Sequence, residues 1–139
     1  MKKKVHRLNA EPKNEHAVYF GISSTENDYR LSWMLNEKLG LNLTKIEDQE
    51  ITDKSRETKH FPQFECFHDD LSHRLIKNKT GDGIFLPKYK TLDFVLVIEG
   101  ESAELVRAVL LKNLKEIKEI NLAIVLDKLT GAEKQLFYR

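Results

Sequence analysis

LPKYKTLDFVLVIEG, residues 86–100, contains the most apolar run of the chain, residues 94–98. The run is short, rich in β-branched and aromatic side chains, and bounded by the turn formers Pro87 and Gly100. Strands that are buried on both faces have this composition, because side chains on either face must then be apolar. The segment therefore predicts a central strand beginning near Leu86, in which Asp93 and Phe94 open the apolar part.

The composition indicates one soluble domain of 139 residues with an apolar core. Hydrophobic residues make up 40% and charged residues 32%, so the chain is expected to fold. The net charge of +1 gives no overall field that would attract nucleic acid, and no apolar run approaches the roughly 20 residues of a membrane span. A single cysteine, Cys66, and the absence of an apolar signal segment after Lys2, Lys3 and Lys4 favour a cytoplasmic location.

The order of predicted elements indicates an α+β domain over residues 16–139, preceded by a flexible basic arm over residues 1–15. A first strand covers residues 16–22, where Gly21 marks a bulge or a close backbone approach. A first helix begins at a Thr25–Asp28 capping box and ends at Gly40, and it buries a stripe made of Leu31, Met34, Leu35 and Leu39.

Further strands and helices follow this first unit. Residues 49–58 read as a loop or a frayed edge, and residues 61–77 as a hairpin that turns at Asp69–Asp70. A second helix capped by Ser102 buries a stripe made of Val106, Val109, Leu110, Leu114 and Ile117. After a strand at residues 122–126, a Thr130–Glu133 capping box predicts a short last helix that places Leu136 and Phe137 on the core.

Both ends of the chain therefore repeat the order strand, helix, strand. Two such units predict two main helices packed on one face of a mixed or antiparallel sheet, in a ferredoxin-like arrangement with an inserted hairpin. A plain antiparallel meander with two helices is the alternative.

Two segments carry a resemblance to a known family. Leu86-Pro87-Lys88, three further residues and Leu92-Asp93-Phe94 resemble the Ile-Pro-Glu, three residues, Val-Asp-Tyr signature of the uncharacterised bacterial IPExxxVDY family. Residues 23–39, above all residues 28–33 with 35–36, resemble the N-terminal segment of the same family. Pro87 and Asp93 match the signature identically, whereas Lys88 reverses the charge of the glutamate. The resemblance implies a shared fold and assigns no activity, and no role that needs a carboxylate at position 88 is carried over.

The first helix offers a candidate binding surface made of Asp28, Tyr29, Arg30, Trp33 and Asn36. Residues three or four apart are neighbours on a helix, and tryptophan, tyrosine and arginine are the types most enriched in interface hot spots. The structural alternative is that Asp28 caps the helix, Tyr29 and Trp33 pack on the sheet, and Arg30 pairs with an acid. The sequence pattern alone favours this alternative.

Cys66, His68 and His73 form the best candidate for a metal site, because a turn after His68 would bring His73 across from the other two. Their spacing matches no dense zinc signature, so a hairpin without metal is favoured and no cofactor is expected. Asp93, at the start of a buried strand, is expected to be structural and to need a backbone amide or an arginine as its partner.

These observations predict a small protein that is not an enzyme and that binds another protein or itself. The sequence contains no phosphate loop, dinucleotide fingerprint or nucleophile elbow, and nucleic acid is not favoured as a partner. One alternative is a regulatory domain that binds a small molecule. The other is a metal-binding enzyme that uses Cys66, His68 and His73.

Overall fold

The computed structural model describes residues 16–138, so the arm predicted for residues 1–15 lies outside the described residues. The strands are β1 (Ala17–Ser23), β2 (Thr44–Thr52), β3 (Thr58–His68), β4 (Leu71–Lys77), β5 (Lys79–Thr80), β6 (Gly83–Ile84), β7 (Phe94–Glu99) and β8 (Leu122–Val125). The helices are α1 (Asp28–Leu39), α2 (Ala103–Lys115) and α3 (Gly131–Gln135), with short 3-10 turns at Pro87–Tyr89 and Leu136–Tyr138.

Six strands form one sheet in the order β2-β3-β4-β7-β1-β8, and β5 pairs with β6 in a separate small hairpin. All neighbouring strands are antiparallel, so the sheet is not mixed. Helix α2 connects β7 to β8 and crosses over β1. Helix α1 connects β1 to β2, which lies at the opposite edge of the sheet. The order β4-β7-β1-β8 is ferredoxin-like, and the β2–β3 hairpin extends it. This confirms the α+β prediction, and the order excludes a plain meander.

The central strand β7 is buried on both faces, as its composition predicts, with all of residues 94–98 buried. Phe94, Leu96 and Ile98 point to the face that also contacts Leu31 of α1 and Leu114 of α2, which we call the helix face. Burying side chains of this size contributes roughly 1.5–3 kcal/mol each. The helix face holds more of the buried apolar residues than the opposite face, and so it forms the larger of two apolar cores.

The opposite face of the sheet, which we call the second face, is covered by loop segments and the C-terminal residues. Val95 and Val97 of β7 contact a cluster that includes Phe85, Leu92 and the fully buried Phe137. The Thr130–Glu133 capping box forms as predicted and starts α3, which leads to Phe137. Two cores, one on each face, explain why β7 carries no polar position between residues 94 and 98.

Asn78 shapes the segment between β4 and β7. Its Nδ2 donates to the carbonyl oxygens of Tyr89 at 3.0 Å and Leu92 at 2.8 Å, and its Oδ1 accepts from the Leu86 amide at 2.9 Å. The side chain is fully buried. Residues 86–93 are therefore folded back onto the second face and contain a 3-10 turn at Pro87–Tyr89, so the prediction of a strand from Leu86 is wrong; the strand begins at Phe94.

The N-cap of the first helix lies two residues later than the predicted cap, Thr25. The cap is Asn27, whose side chain accepts from the Arg30 amide at 2.8 Å, and neither Thr25 nor Asp28 fills that position. Leu31 and Leu35 are fully buried, which confirms the predicted stripe. The helix ends at Gly40 with φ of +69°, the left-handed conformation that its position predicted.

Other predictions are confirmed in part. Residues 53–57 form the connection between β2 and β3, whereas residues 49–52 belong to the edge strand β2 and pair with β3. Ser102 occupies the N-cap position of α2, as predicted, but its side chain makes no capping bond, and Val109 of the predicted stripe is exposed. A Cβ on Gly21 would collide with the Leu92 side chain, which confirms a close approach there. Across residues 16–138, the structure contains no helix that could cross a membrane.

Candidate functional site

Two large aromatic side chains stand exposed on the outer face of α1. Tyr29 is 62% exposed and Trp33 is 54% exposed, and they lie one helical turn apart. The Arg30 guanidinium carbon lies 5.4 Å from the Trp33 ring centroid, a cation–π arrangement, and Arg30 also pairs with Glu26 at 3.8 Å. The Tyr29 ring meets Phe64 of β3 edge-on at 5.3 Å. We call Tyr29, Arg30 and Trp33 the α1 aromatic surface.

The other two residues of the predicted surface have structural bonds. Asp28 Oδ1 accepts from the Tyr29 amide at 2.9 Å, at the first turn of the helix. Asn36 Nδ2 donates to the Leu43 carbonyl oxygen at 3.2 Å, and its Oδ1 accepts from the Leu43 amide at 2.8 Å. Asn36 therefore joins the end of α1 to the segment leading into β2. The five predicted residues share one helix, but only three of them form an exposed surface.

Asp93 has the kind of partner that its position required. Its Oδ2 accepts from the Ser24 amide at 2.9 Å, as predicted, and Oδ1 lies 3.3 Å from Lys79 Nζ, so the cationic partner is a lysine and not an arginine. Ser24 in turn donates its hydroxyl to the Glu119 carbonyl oxygen at 2.8 Å. Asp93 thus links the start of β7 to the loop before α1. Its contacts are those of a structural carboxylate.

A cavity of about 400 Å³ lies beside Asp93, at the N-terminal end of α1. It is lined by residues 24–27, Lys77, Lys79, Asp93 and Phe94. The two lysines and the helix end favour an anion. Asp93 already supplies a carboxylate to Lys79 and to the Ser24 amide, so part of that positive charge is neutralised within the protein.

The remaining positions of the predicted motif are structural or exposed. Pro87 occupies the first turn of the 3-10 helix, where its missing amide is not needed, and Phe94 is buried on the helix face. Lys88 is exposed to solvent. Among the described residues, Lys88 therefore has no buried partner.

The hairpin β3–β4 brings two histidines and the cysteine together as predicted, with Cys66 opposite His73. Asp69 and Asp70 form its turn, both with positive φ. The His68 and His73 rings lie 6.1 Å apart, and His73 Nδ1 lies 3.2 Å from the Leu71 carbonyl oxygen. Burial raises the pKa of the Cys66 thiol and lowers the pKa of His73. Within residues 16–138, no group of three or more His, Cys, Asp or Glu side chains is placed to hold a metal ion.

An apolar cleft of about 230 Å³ adjoins these histidines on the helix face. It lies between the C-terminal end of α1, α2 and the β3–β4 turn, and is lined by Leu39, Leu41, His68, Asp69, Leu71, His73, Val106, Val109, Leu110 and Asn113. His73 forms part of its wall with a neutral imidazole favoured by burial. Sequence patterns predicted that the two histidines lie close together. They did not predict the cleft, because three separate elements form it.

A second polar cluster, on the second face, was not found from the sequence. The Tyr138 hydroxyl donates to Glu99 Oε2 at 2.8 Å and lies 3.4 Å from the Tyr19 hydroxyl. Arg74 Nη2 donates to the Phe137 carbonyl oxygen at 2.7 Å, and its guanidinium carbon lies 5.7 Å from the Tyr138 ring centroid. Burial raises the pKa of Tyr19. The cluster fixes residues 136–138 on the sheet, so its evident role is structural.

Comparison with family models, curated proteins and solved structures finds no match to this chain. The resemblance to the IPExxxVDY family therefore rests on the residues quoted above and remains a prediction. The same holds for its bacterial origin and its cytoplasmic location.

Proposed function

We propose that this protein acts by binding another protein through the α1 aromatic surface, without catalysing a reaction. The observation that carries the proposal is the exposure of Tyr29 and Trp33 on a helix whose opposite face is buried. Sequence pattern favoured packing both rings against the sheet. The Tyr29 ring does meet Phe64 of β3, yet more than half of each residue's surface is open to solvent. An exposed tryptophan and tyrosine one turn apart supply apolar area that a partner can bury.

The surface is held in place before any partner arrives. Tyr29 rests edge-on against Phe64, and Arg30 lies over the Trp33 ring while it pairs with Glu26. Rigid side chains lose less conformational entropy on binding, which favours affinity. A partner suited to this surface carries an apolar or aromatic side chain for the two rings and a carboxylate that can compete with Glu26 for Arg30.

The polar groups elsewhere support a binding role over an enzymatic one. Asp93 is committed to Ser24 and Lys79, and Tyr138 to Glu99. The Cys66 thiol is buried with a raised pKa, which disfavours the reactive thiolate. A small-molecule regulatory role would use the cavity beside Asp93 or the apolar cleft, and no specific contact favours it over protein binding.

The test compares the native mass spectra of wild-type and variant proteins purified gently from their own host. The double variant Tyr29→Ala, Trp33→Ala should fold, because both side chains are largely exposed. The matched control is Leu105→Ala, Val109→Ala, an exposed apolar pair one turn apart on α2. We expect an added protein mass in the wild type and the control that is lost in the double variant. The same masses in all three proteins would overturn the proposal, and an added mass of metabolite size would favour the regulatory alternative.

A further inference from the structure

The two edge strands of the six-stranded sheet differ in how their edges are protected. The edge strand β2 carries Lys45, Glu47, Asp48 and Glu50, and its register with β3 shifts between Ile46 and Gln49. Charged side chains and irregular registers of this kind keep sheet edges from pairing with other chains. The edge strand β2 is thus protected against strand addition.

The opposite edge strand, β8, lacks the charged side chains that protect β2, and its register with β1 does not shift between Leu122 and Val125. Its sequence, Leu122-Ala123-Ile124-Val125, contains no charge and no proline. Leu122 is 47% exposed and Ile124 is 36% exposed, and both lie toward the second face. Within residues 16–138, β8 pairs only with β1. An apolar and exposed edge is the feature that strand addition uses.

The backbone of β8 determines which groups are available at this edge. The Leu126 amide donates to the Tyr19 carbonyl oxygen at 2.8 Å, and Ile124 stands opposite Gly21 in the same register. Hydrogen-bonded pairs alternate along antiparallel strands, so Leu122 and Ile124 also direct their backbone groups to β1. Ala123 and Val125 therefore direct their amide and carbonyl groups outward, where a further strand can bond to them.

We infer that β8 is a homodimer interface, in which β8 of a second copy of this chain adds antiparallel to the free edge. The inference is independent of the proposed function, because β8 and α1 are separate surfaces. A second copy fits because β8 is neutral and apolar. The β8 strand of one copy can therefore pair with the free edge of β8 in the other copy without burying a charge. Antiparallel pairing of one strand with itself also satisfies two-fold symmetry, the commonest symmetry of homodimers.

The charges that flank β8 select one register. Because only Ala123 and Val125 face outward, a symmetric pair must match 123 with 123, 123 with 125, or 125 with 125. The first match places Glu119 opposite Asp127 and Lys118 opposite Lys128, which are like-charge pairs. The third places Asp127 opposite Ala123, within the apolar strand. The second has neither fault, and it sets Ile124 opposite Ile124 of the second copy.

The test is a disulfide at the two-fold axis. In the selected register Ile124 forms a non-hydrogen-bonded pair, for which the Cα separation is about 4.5 Å and within the range of a disulfide. We expect Ile124→Cys, in a Cys66→Ala background, to form an interchain disulfide under mild oxidation much faster than Leu105→Cys in the same background. Leu105 is an exposed leucine on α2 and serves as the matched control. Equal rates for the two variants would overturn the inference.

Analytical sedimentation provides a second test, which compares the wild type with two lysine variants and needs no cysteine variant. Wild type and Val109→Lys should form dimers at concentrations up to about 1 mM, whereas Ile124→Lys should remain monomeric, because a lysine on the edge opposes pairing. A wild-type protein that is monomeric throughout this range would overturn the inference. A dimer that Ile124→Lys leaves intact would also overturn it, because the interface would then lie elsewhere.

Discussion

Replacing Asn78 with alanine tests the contact that folds residues 86–93 onto the second face. The side chain makes three hydrogen bonds to backbone groups, two as a donor to the carbonyl oxygens of Tyr89 and Leu92 and one as an acceptor from Leu86. It is fully buried, so water cannot replace these bonds without opening the loop. We therefore expect Asn78→Ala to destabilise the whole domain.

The size of the loss follows from the bonds. Three hydrogen bonds at about 1 kcal/mol each give about 3 kcal/mol, and the buried Leu86 amide left without a partner adds about 1–2 kcal/mol. The total of about 4–5 kcal/mol is a large share of the 5–15 kcal/mol that is typical of unfolding free energies. For a chain of 139 residues it lowers the Tm by about 14–17 °C.

Thermal unfolding followed by circular dichroism measures the shift, and urea unfolding gives the free energy. Asn78→Asp separates hydrogen bonding from volume, because it keeps an acceptor for Leu86 but places a carboxylate oxygen against the two carbonyl oxygens. It should be at least as unstable as Asn78→Ala. Asn113→Ala, on the half-buried side of α2, is the matched control. An Asn78→Ala protein that melts within about 1 °C of wild type would refute the reasoning.

Three further variants test other parts of the structure. Asp93→Asn weakens the bonds to Ser24 and Lys79 and should lower the unfolding free energy by about 1–2 kcal/mol in urea. Phe137→Ala leaves a cavity in the second-face core and should lower it by about 3–5 kcal/mol. Burial lowers the pKa of His73 below its ordinary value of 6.5, so the unfolded chain binds that proton more tightly than the folded chain does. The stability that is present above about pH 6.5 is therefore lost as the pH falls through the folded-state pKa. His73→Leu should reduce this dependence of the Tm on pH in thermal melts.

Each of these variants has a control with the opposite expectation. Lys79→Met removes only a partly exposed ion pair and should lower the unfolding free energy by less than about 1 kcal/mol. A loss equal to that of Asp93→Asn would show that the ion pair, and not the bond to the Ser24 amide, accounts for the stability that Asp93 contributes. Leu105→Ala should barely change stability, and an equal loss there would contradict the two-core description. His60→Gln, at an exposed histidine, should keep the pH slope, and a slope that survives His73→Leu would place its origin in another group.

Local patterns predicted the elements whose signals lie in adjacent residues. The apolar composition of residues 94–98 identified the doubly buried β7, and Thr130 with Glu133 identified the start of α3. Asp69–Asp70 identified the β3–β4 turn. In each case the residues that carry the sequence signal are the same residues that form the element, so a single sequence is sufficient to predict it.

Contacts between distant residues account for what sequence patterns missed. Residues 86–93 read as extended, but Asn78 folds them through bonds that no periodicity reveals. Residues 49–52, Gln-Glu-Ile-Thr, contain only one apolar side chain, so their pairing with β3, and not their composition, identifies them as part of an edge strand. Trp33 was expected on the sheet, but its helical position faces solvent. A helical stripe shows which residues share a face, whereas the depth of each residue depends on the neighbouring elements.

Photo-crosslinking from position 33 tests the proposed binding surface most directly. Trp33 is the only tryptophan of the chain, and its replacement with benzoyl-phenylalanine keeps an aromatic group at the centre of the α1 aromatic surface. On illumination of the host cells, we predict a discrete covalent adduct with one other protein, absent when the same group is placed at Leu105. No adduct at position 33, or the same adducts from both positions, would contradict the proposal that this surface binds a partner.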